Sequence, residues 1–344
     1  MDFLSRPESG VAPRRHATLW LALATCAVAA SGMFAILIAL ARVPALGNLF
    51  PGPEFYRVAL TLHVNLSQGV WFMAFAGVLW SLSRAPGAID RLAWLAAALG
   101  ATGIALSVSV GRPMPLMSNY LPVLDSPAFL SALCLFGFGV ALKSLTSAAG
   151  PLRPAVASVG DVQGLALRVA AVQVVAVLVL IVAAGVAIDG RLEGHGYFET
   201  LFWAGGHVWQ FALLSLLMFC WLELAPGAAR SIHPRKLAAP ILLGALPVGA
   251  ALLVPLIYGP DSGEYFAAYT GLMRWTSWEM PLLLGVLLFL RRGSKAPAPG
   301  FGLSLLLFVA GLLLGAAING QTTLVTAHYH GTIGAVTLAF MATS

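Results

Sequence analysis

Apolar runs of about 20 residues recur along nearly the whole chain, and they constrain its fold more than any other feature. A helix of that length crosses the roughly 30 Å hydrocarbon core of a bilayer. Backbone groups in lipid must bond one another, so each run is expected to be a helix rather than a strand. Charged residues make up only 9% of the 344 residues and the mean hydropathy is +0.89, whereas soluble domains carry about 25% charged residues. The sequence therefore predicts an all-α polytopic membrane protein.

Ten transmembrane helices are predicted, within a single transmembrane domain that covers residues 1–344. Short polar connections with Gly or Pro separate them, for example "SRAPGAID" and "RRGSKAPAPG". A cleaved signal peptide is not expected, because the first apolar run is long and lacks a small-residue cleavage site. The predicted spans are about 17–41, 56–82, 91–110, 127–147, 165–188, 198–222, 238–258, 266–290, 301–319 and 322–343.

The basic residues predict the orientation. If the amino terminus is cytoplasmic, 14 of the 19 Lys and Arg residues fall in the inner segments, as the positive-inside rule requires. We expect an integral protein of a bacterial inner (cytoplasmic) membrane, surrounded by lipid, with a cytoplasmic amino terminus. The net charge of +6 comes from these inner loops, so it does not predict nucleic acid as a partner.

The three cysteines offer no site of their own. Cys26, Cys134 and Cys220 lie in different spans, and the absence of C-x-x-C and C-x-x-C-H motifs excludes covalent heme attachment and a thiolate zinc site. We interpret all three as small core residues.

Four of the seven histidines lie inside predicted spans and at a common depth. They are His63 in "LTLHVNLSQGVWF", His207 in "LFWAGGHVWQF", and His328 and His330 in "TAHYHG". Spans two, six and ten all enter from the outer side, which places each imidazole roughly 9–14 Å along its helix. Ionisable side chains at membrane depth are costly, so this shared level indicates a functional site. We interpret the other three as solvated loop side chains: His16, His195 and His233.

The spacing of His328 and His330 favours heme over a single metal ion. Two residues apart on a helix, they point about 200° from each other and cannot bind one ion together. They can face two flat cofactors on opposite sides of the same helix. Heme suits this geometry, because each of two hemes would take one axial His from this helix and its hydrophobic macrocycle is buried by an apolar bundle. His63 is then available as a second axial ligand to one of two hemes.

At these residues the chain resembles the catalytic subunit I of the heme–copper oxidase superfamily, which includes terminal oxidases of the respiratory chain and nitric oxide reductases. The most specific similarity is "AAINGQTTLVTAHYHGTIGAVTLAF", and it continues at the His63 and His207 segments. The resemblance implies that His63 and His330 are the axial ligands of a low-spin heme. It implies that His328 is the proximal ligand of a high-spin heme, and that His207 is one ligand of an active-site copper or non-heme iron.

The chain also departs from the family pattern. About fifty residues beyond the metal ligand that matches His207, the family has an adjacent His-His pair that supplies the other two ligands. This chain has Ile257 and Tyr258 there. Four residues after the first ligand the family has Tyr or Glu, and this chain has Phe211. These departures predict an incomplete copper site. Two further family helices would follow Ser344, so the chain is expected to be a fragment or a shortened relative.

Other polar residues are candidates for accessory roles. Arg274 and Glu279 are interpreted either as a satisfied core polar pair or as part of a proton path. Arg57, Arg112 and Arg191, at the outer face, are interpreted as solvated arginines rather than partners of heme propionates. No continuous polar path crosses the membrane, so proton pumping is not predicted.

Three functions follow as hypotheses. The first is a membrane heme protein for electron transfer or O2/NO chemistry, with two hemes, partner subunits, and a cytochrome or quinol as electron donor. The second is a non-enzymatic heme-binding sensor or assembly protein. The third is an active O2 or NO reductase, an oxidoreductase whose second metal uses His207 with unfamiliar ligands such as Tyr258 or Glu264.

Overall fold

Helices account for most of the chain in the computed structural model. It describes residues 11–46, 49–50, 52, 54–83, 85–111, 113–149, 156–188, 190, 192–291, 298–320 and 322–344. The helices are α1 Val11–Ala41, α2 Glu54–Val64, α3 Phe72–Leu82, α4 Ala88–Leu106, α5 Pro127–Ala148, α6 Val159–Ala187, α7 Gly194–Leu224, α8 Pro226–Arg230, α9 Pro234–Leu253, α10 Gly263–Thr276, α11 Glu279–Leu290, α12 Pro299–Ala316 and α13 Thr323–Thr343. A π-helical segment, Asn65–Trp71, joins α2 to α3, and we call the continuous helix Glu54–Leu82 helix two.

Eight helices in the described part of the chain are long and apolar enough to cross a membrane. They are α1, helix two, α4 with its short extension to Ser109, α5, α6, α7, α9 with its extension to Leu256, and α12. Each overlaps one of the predicted spans. The predicted all-α membrane architecture is therefore confirmed at this level.

The predicted span 266–290 is wrong as a single helix. The chain forms α10 and α11 instead, with a bend at Ser277 and Trp278. Pro281 explains the break, because it lacks an N–H and its ring clashes with the carbonyl four residues earlier, that of Ser277. The span was predicted from the apolar composition of the run, without regard to this proline.

The last predicted span, 322–343, is a single helix, α13, of 21 residues. It is not among the eight apolar helices. The reason is its composition, since "TLVTAHYHGTIGAVTLAFMAT" combines two histidines and a tyrosine with five threonines. Its helical form agrees with the prediction, but its polarity sets it apart from the other long helices.

Side-chain contacts fix the relative directions of helix two, α7 and α13. The end of α13 meets the end of α7, where Thr343 Oγ1 lies 3.8 Å from Cys220 Sγ. Helix α7 runs antiparallel to α6, since Ser215 donates to Gln173 over 2.7 Å and Gly205 contacts Ile181.

The end of helix two meets the beginning of α6, where Trp80 Nε1 donates to the Leu167 carbonyl over 2.9 Å. Helix two, α7 and α13 therefore run in the same direction.

A small β-hairpin that the sequence did not predict lies between α4 and α5. Strands β1 (Met114–Leu116) and β2 (Val123–Asp125) pair antiparallel, with Pro115 opposite Leu124. The turn between them reaches two helices: the Pro122 carbonyl accepts from Asn65 Nδ2 of helix two over 2.7 Å, and the Asn119 amide donates to Glu199 of α7 over 2.8 Å. The hairpin thereby ties the starts of helix two and α7 together.

Two interpretations of single residues are wrong. His16 is not a solvated loop residue, because it lies in α1, is buried, and accepts a hydrogen bond from Trp20 Nε1 over 3.2 Å. Cys26 and Cys134 are exposed on the surfaces of α1 and α5, so only Cys220 is a core residue. The other surface assignments, His195 and His233, are confirmed as exposed.

Candidate functional site

His63 is oriented by the backbone of α1. Its Nδ1 lies 3.0 Å from the carbonyl oxygen of Ser31 and 2.9 Å from the Ser31 hydroxyl oxygen. That hydroxyl donates its one proton to the His63 carbonyl over 3.0 Å, so both Ser31 atoms accept from the ring. Nδ1 therefore carries the proton, and Nε2 is left in the unprotonated form that binds a metal.

The chain leaves regular α-helical geometry two residues after His63. The π-helical segment begins at Asn65, and Ser67 donates to the His63 carbonyl over 2.7 Å. Asn65 Nδ2 donates to two carbonyls, but its Oδ1 is buried without a hydrogen-bond partner among the described residues. Single π turns inside α-helices occur frequently at functional sites.

His328 is held by the neighbouring helix α12. Its Nδ1 donates to the Gly311 carbonyl over 2.7 Å. A Cβ added at Gly315 would lie 2.6 Å from the same Nδ1, so the imidazole packs directly on this glycine and a side chain there would displace it. One turn away, a Cβ on Gly311 would lie 2.7 Å from the Thr332 amide nitrogen. The two glycines allow α12 to approach α13 closely enough to orient this ring.

His330 is oriented by its own helix. Its Nδ1 donates to the Thr326 carbonyl over 2.8 Å, and its ring stacks on that of Tyr329 with centroids 4.7 Å apart. The side chain is exposed, whereas that of His328 is half-buried against α12. The two imidazoles thus have different surroundings, as their spacing predicted.

His63, His328 and His330 share one more property. Among the described residues, no hydrogen bond reaches the Nε2 atom of any of the three. No hydrogen bond or ring contact joins His63 to His330 in the same part of the structure, so the two rings do not serve each other as partners. Each imidazole therefore has a fixed orientation and an available metal-binding nitrogen.

Aromatic contacts place His63 and His330 at similar heights. Phe340 of α13 stacks on Phe75 of helix two with centroids 4.4 Å apart, and also contacts Trp71 at 6.4 Å. His330 lies ten residues before Phe340, about 15 Å along α13, and His63 lies eight to twelve residues before this cluster, about 12–18 Å along helix two. Since the two helices run in the same direction, the two imidazoles stand at one level above a shared aromatic contact.

His207 lies at this level too, but in a closed environment. His207 lies thirteen residues before Cys220, and His330 lies thirteen residues before Thr343. Because Cys220 and Thr343 are in contact, the two histidines stand at the same level. Its Nδ1 donates to the Trp203 carbonyl over 2.7 Å, and its Nε2 lies 3.4 Å from the Thr270 hydroxyl. The rings of Trp203, Tyr120 and Tyr269 surround it at centroid distances of 4.7, 4.9 and 6.3 Å.

Tyr120 comes from the hairpin turn, and sequence reasoning missed it. A Cβ on Gly206 would lie 2.1 Å from its ring, so the glycine before His207 makes room for this tyrosine. Burial, and then the negative charge of Glu199, raise the pKa of Tyr120 far above its ordinary value, so the phenol stays protonated at neutral pH. The "GG" pair before His207 was the one available signal of a close approach.

The ligands suggested for a second metal are not assembled around His207. Tyr258 is 38% exposed beyond the end of α9, and Glu264 is exposed in the first turn of α10. Neither has a hydrogen bond or ring contact with His207 within the described residues. That part of the chain also contains no group of three or more His, Cys, Asp or Glu residues that could hold a metal ion. Thr270 and the three aromatic rings occupy the surroundings of His207 instead.

The other polar candidates are dispersed. Arg274 and Glu279 lie on opposite sides of the break between α10 and α11 and form no ion pair with each other; Arg274 is exposed, with its guanidinium 5.2 Å from the Trp275 ring centre. The interpretation of a core polar pair is therefore wrong. Arg57 is exposed and lies 3.9 Å from Glu54, which fits a solvated arginine. Arg112 and Arg191 lie outside the described residues.

Relatives span nearly all of the chain. No protein-family model matches it. It is 23% identical over 407 residues to the uncharacterized protein RP382 of Rickettsia prowazekii (strain Madrid E), covering 94% of this chain and 76% of that protein. It is 31% identical over 338 residues to an uncharacterized protein of Aquifex aeolicus (strain VF5), covering 94% of this chain and 83% of the relative. The chain belongs to the same protein family as this Aquifex aeolicus protein.

Proposed function

We propose that the chain is a membrane heme protein related to heme–copper oxidase subunit I, with two hemes and no complete copper site. His63 and His330 are the axial ligands of a low-spin heme, and His328 is the single axial ligand of a high-spin heme. The function is electron transfer or the chemistry of a small gas such as O2 or NO. A cytochrome or a quinol supplies the electrons.

One observation carries this proposal: His63, His328 and His330 each donate Nδ1–H to a backbone carbonyl and keep Nε2 available. A histidine that binds a metal usually donates its other ring N–H in this way, which fixes the tautomer and the ring orientation. Core histidines without a ligand would be expected to use both nitrogens, because a buried polar atom without a partner costs free energy. His330 adds a further argument, since an exposed imidazole in a helix at membrane depth is costly without a partner.

The residues around each ligand have separate tasks. Ser31 holds the His63 ring, and the Thr326 carbonyl holds the His330 ring. Gly315 and the Gly311 carbonyl position the His328 ring against α12. When bound, heme with two histidines transfers electrons, whereas heme with one histidine leaves a face where a gas can bind. The divergent rings of α13 thus support two different cofactor environments on two sides of one helix.

The surroundings of His207 argue against a copper or non-heme iron centre. A lone imidazole does not hold such an ion, and its Nε2 is already within reach of the Thr270 hydroxyl. Four-electron reduction of O2 in the manner of a heme–copper oxidase is therefore not proposed. The same closed environment favours a second candidate function, a heme-binding sensor or assembly protein that binds heme without turnover.

The test is an optical and metal analysis of the purified full-length chain in detergent or lipid. We expect two hemes per chain in the heme assay, one of which shifts its reduced spectrum on addition of carbon monoxide, and less than one copper per chain. The absence of heme from protein made in heme-sufficient cells would disprove the proposal. Consumption of O2 or NO by the reduced protein would distinguish the oxidoreductase from the non-enzymatic heme protein.

A further inference from the structure

A cavity borders the break between α10 and α11. Its volume is about 520 Å³, and it is lined by three residues of α9 and three at the break: Leu243, Leu246, Pro247, Thr276, Glu279 and Met280. Leu246 is 67% exposed at its mouth, so the cavity opens on the outer surface of the helices. We call it the α9–α11 groove.

Polar groups are concentrated at one end of this otherwise apolar groove. The Glu279 side chain is half-buried and has no hydrogen-bond or ion-pair partner among the described residues. Pro247 has no N–H to donate to the Leu243 carbonyl, so this backbone acceptor lacks its usual helical partner. The Thr276 hydroxyl donates to the Leu272 carbonyl over 2.6 Å and can still accept a hydrogen bond. The groove therefore presents three acceptors and apolar walls.

The position of the groove restricts what can enter it. If the stretch 266–290 crosses the bilayer as the sequence predicts, Thr276, about 20 Å along α10, lies well inside a hydrocarbon core of roughly 30 Å. A phospholipid headgroup does not reach this depth, and an acyl chain alone would leave the Glu279 carboxylate without a partner in a medium where that is costly. Thr276 is also only six residues, about 9 Å, from Thr270, whose hydroxyl contacts His207. The occupant is therefore expected to be membrane-soluble, to donate hydrogen bonds, and to lie near the histidine level.

We propose that the α9–α11 groove binds the ring of a membrane quinol. The aromatic ring and its isoprenoid chain suit the leucine and methionine walls, and a phenolic hydroxyl donates to the Glu279 carboxylate. Ligand sites commonly combine an apolar lining with a few placed polar groups in this way. The role of this quinol as reductant, giving one electron to each proposed heme and releasing both protons in turn through Glu279, rests on the proposed function.

The experiment measures binding rather than turnover. A short-chain ubiquinol, kept reduced under argon, is titrated into the full-length protein in phospholipid nanodiscs, and binding is followed by calorimetry. We expect one saturable site. Glu279→Gln should weaken binding about ten-fold, because a hydrogen bond to a charged acceptor is replaced by one to a neutral amide. Leu246→Trp should abolish binding by filling the mouth of the groove.

A matched control separates the groove from the general lipid-facing surface. Leu283 is 51% exposed on α11 but does not line the groove, so Leu283→Trp should bind ubiquinol as the unaltered protein does. Unchanged binding in Leu246→Trp, with its helical circular dichroism intact, would overturn the proposal, as would the lack of any saturable site. Quinol binding by a protein that contains no heme would support the quinol site in the α9–α11 groove and reject the proposed function. Two hemes without quinol binding would do the reverse.

Discussion

His330 and His207 make an instructive comparison. His330 lies thirteen residues before Thr343 and His207 thirteen before Cys220, and Thr343 and Cys220 contact each other on parallel helices. Both imidazoles donate Nδ1–H to the carbonyl four residues earlier. They differ in what surrounds Nε2. His330 is exposed with no partner at that nitrogen among the described residues, whereas His207 is 3% exposed, enclosed by three aromatic rings and close to Thr270. Depth and tautomer therefore do not by themselves define a ligand, and the space beside Nε2 separates the two environments.

The largest effects should come from the two neighbours on α13. His328→Ala should abolish the carbon monoxide-sensitive heme signal and leave the low-spin signal, because each imidazole serves a different heme. His330→Ala, like His63→Ala, should do the opposite. Reduced-minus-oxidised spectra with and without carbon monoxide measure both signals in the same sample. Loss of the same signal in His328→Ala and His330→Ala would contradict the division of the helix into two sides.

A smaller effect is expected from the glycine under His328. In Gly315→Ala the added Cβ would lie 2.6 Å from Nδ1, so the ring must move away from the Gly311 carbonyl that orients it. We expect a several-fold drop in the carbon monoxide-sensitive heme per chain with the low-spin heme retained, since partners that orient a metal ligand are worth about 10–100-fold in affinity.

Gly302 provides the control for this substitution. It lies in the same helix, α12, and a Cβ there meets nothing within 4 Å. Gly302→Ala should therefore bind both hemes normally, and in the same heme assay it shows the effect of the helix propensity change alone. Equal heme loss in the two variants would mean that α12 is sensitive to any change, and would refute a specific role of Gly315.

His207 tests the other side of the comparison. His207→Ala should keep both hemes and leave the copper content unchanged, because no metal is assigned to this residue. We expect only a few-fold change in the rate of carbon monoxide rebinding after flash photolysis. Thr270→Val, which removes the hydroxyl near Nε2 but keeps the imidazole, should have a still smaller effect. Loss of a stoichiometric copper or non-heme iron from His207→Ala would show instead that this histidine is a metal ligand.

Much of the helical architecture could be predicted from sequence, and the reason lies in the bilayer. Apolar length alone identifies eight of the helices, because lipid leaves a long apolar run few alternatives to a helix. The same criterion misled at 266–290, where Pro281 breaks the helix within an apolar run. The break there depends on one residue, so Pro281 could have predicted it from the sequence.

The candidate site was predictable in part. Four histidines and their shared level follow from counting residues along helices. The partners of those histidines do not, because Ser31 lies 32 positions from His63 and Gly311 lies 17 from His328. Tyr120 enters from a hairpin turn and Thr270 from α10, so the closed environment of His207 depends on tertiary packing that no local pattern encodes. The sequence therefore predicted the shared level of the four histidines without predicting what each one contacts.

The smallest predicted effect concerns the hydroxyl of Ser31. Ser31→Ala keeps the carbonyl that accepts from His63 Nδ1 but removes the second acceptor, the hydroxyl oxygen at 2.9 Å, together with the donation of that hydroxyl to the His63 carbonyl. Hydrogen bonds from Nδ1–H increase the basicity of an imidazole ligand and so favour the oxidised iron. Losing one of the two acceptors should therefore raise the midpoint potential of the low-spin heme. A single hydrogen bond contributes about 0.5–1.5 kcal/mol, equivalent to roughly 20–60 mV for one electron.

Ser67 offers a closely matched control for that measurement. Its hydroxyl donates to the same His63 carbonyl over 2.7 Å but has no hydrogen bond with the ring. In a spectroelectrochemical titration, Ser67→Ala should leave the low-spin potential nearly unchanged while Ser31→Ala raises it. Neither variant should alter the carbon monoxide-sensitive heme, because His328 is held by α12 and not by α1. A shift confined to that heme would assign His63 to the other cofactor, and equal shifts in the two variants would show that the His63 backbone, rather than its ring, transmits the effect.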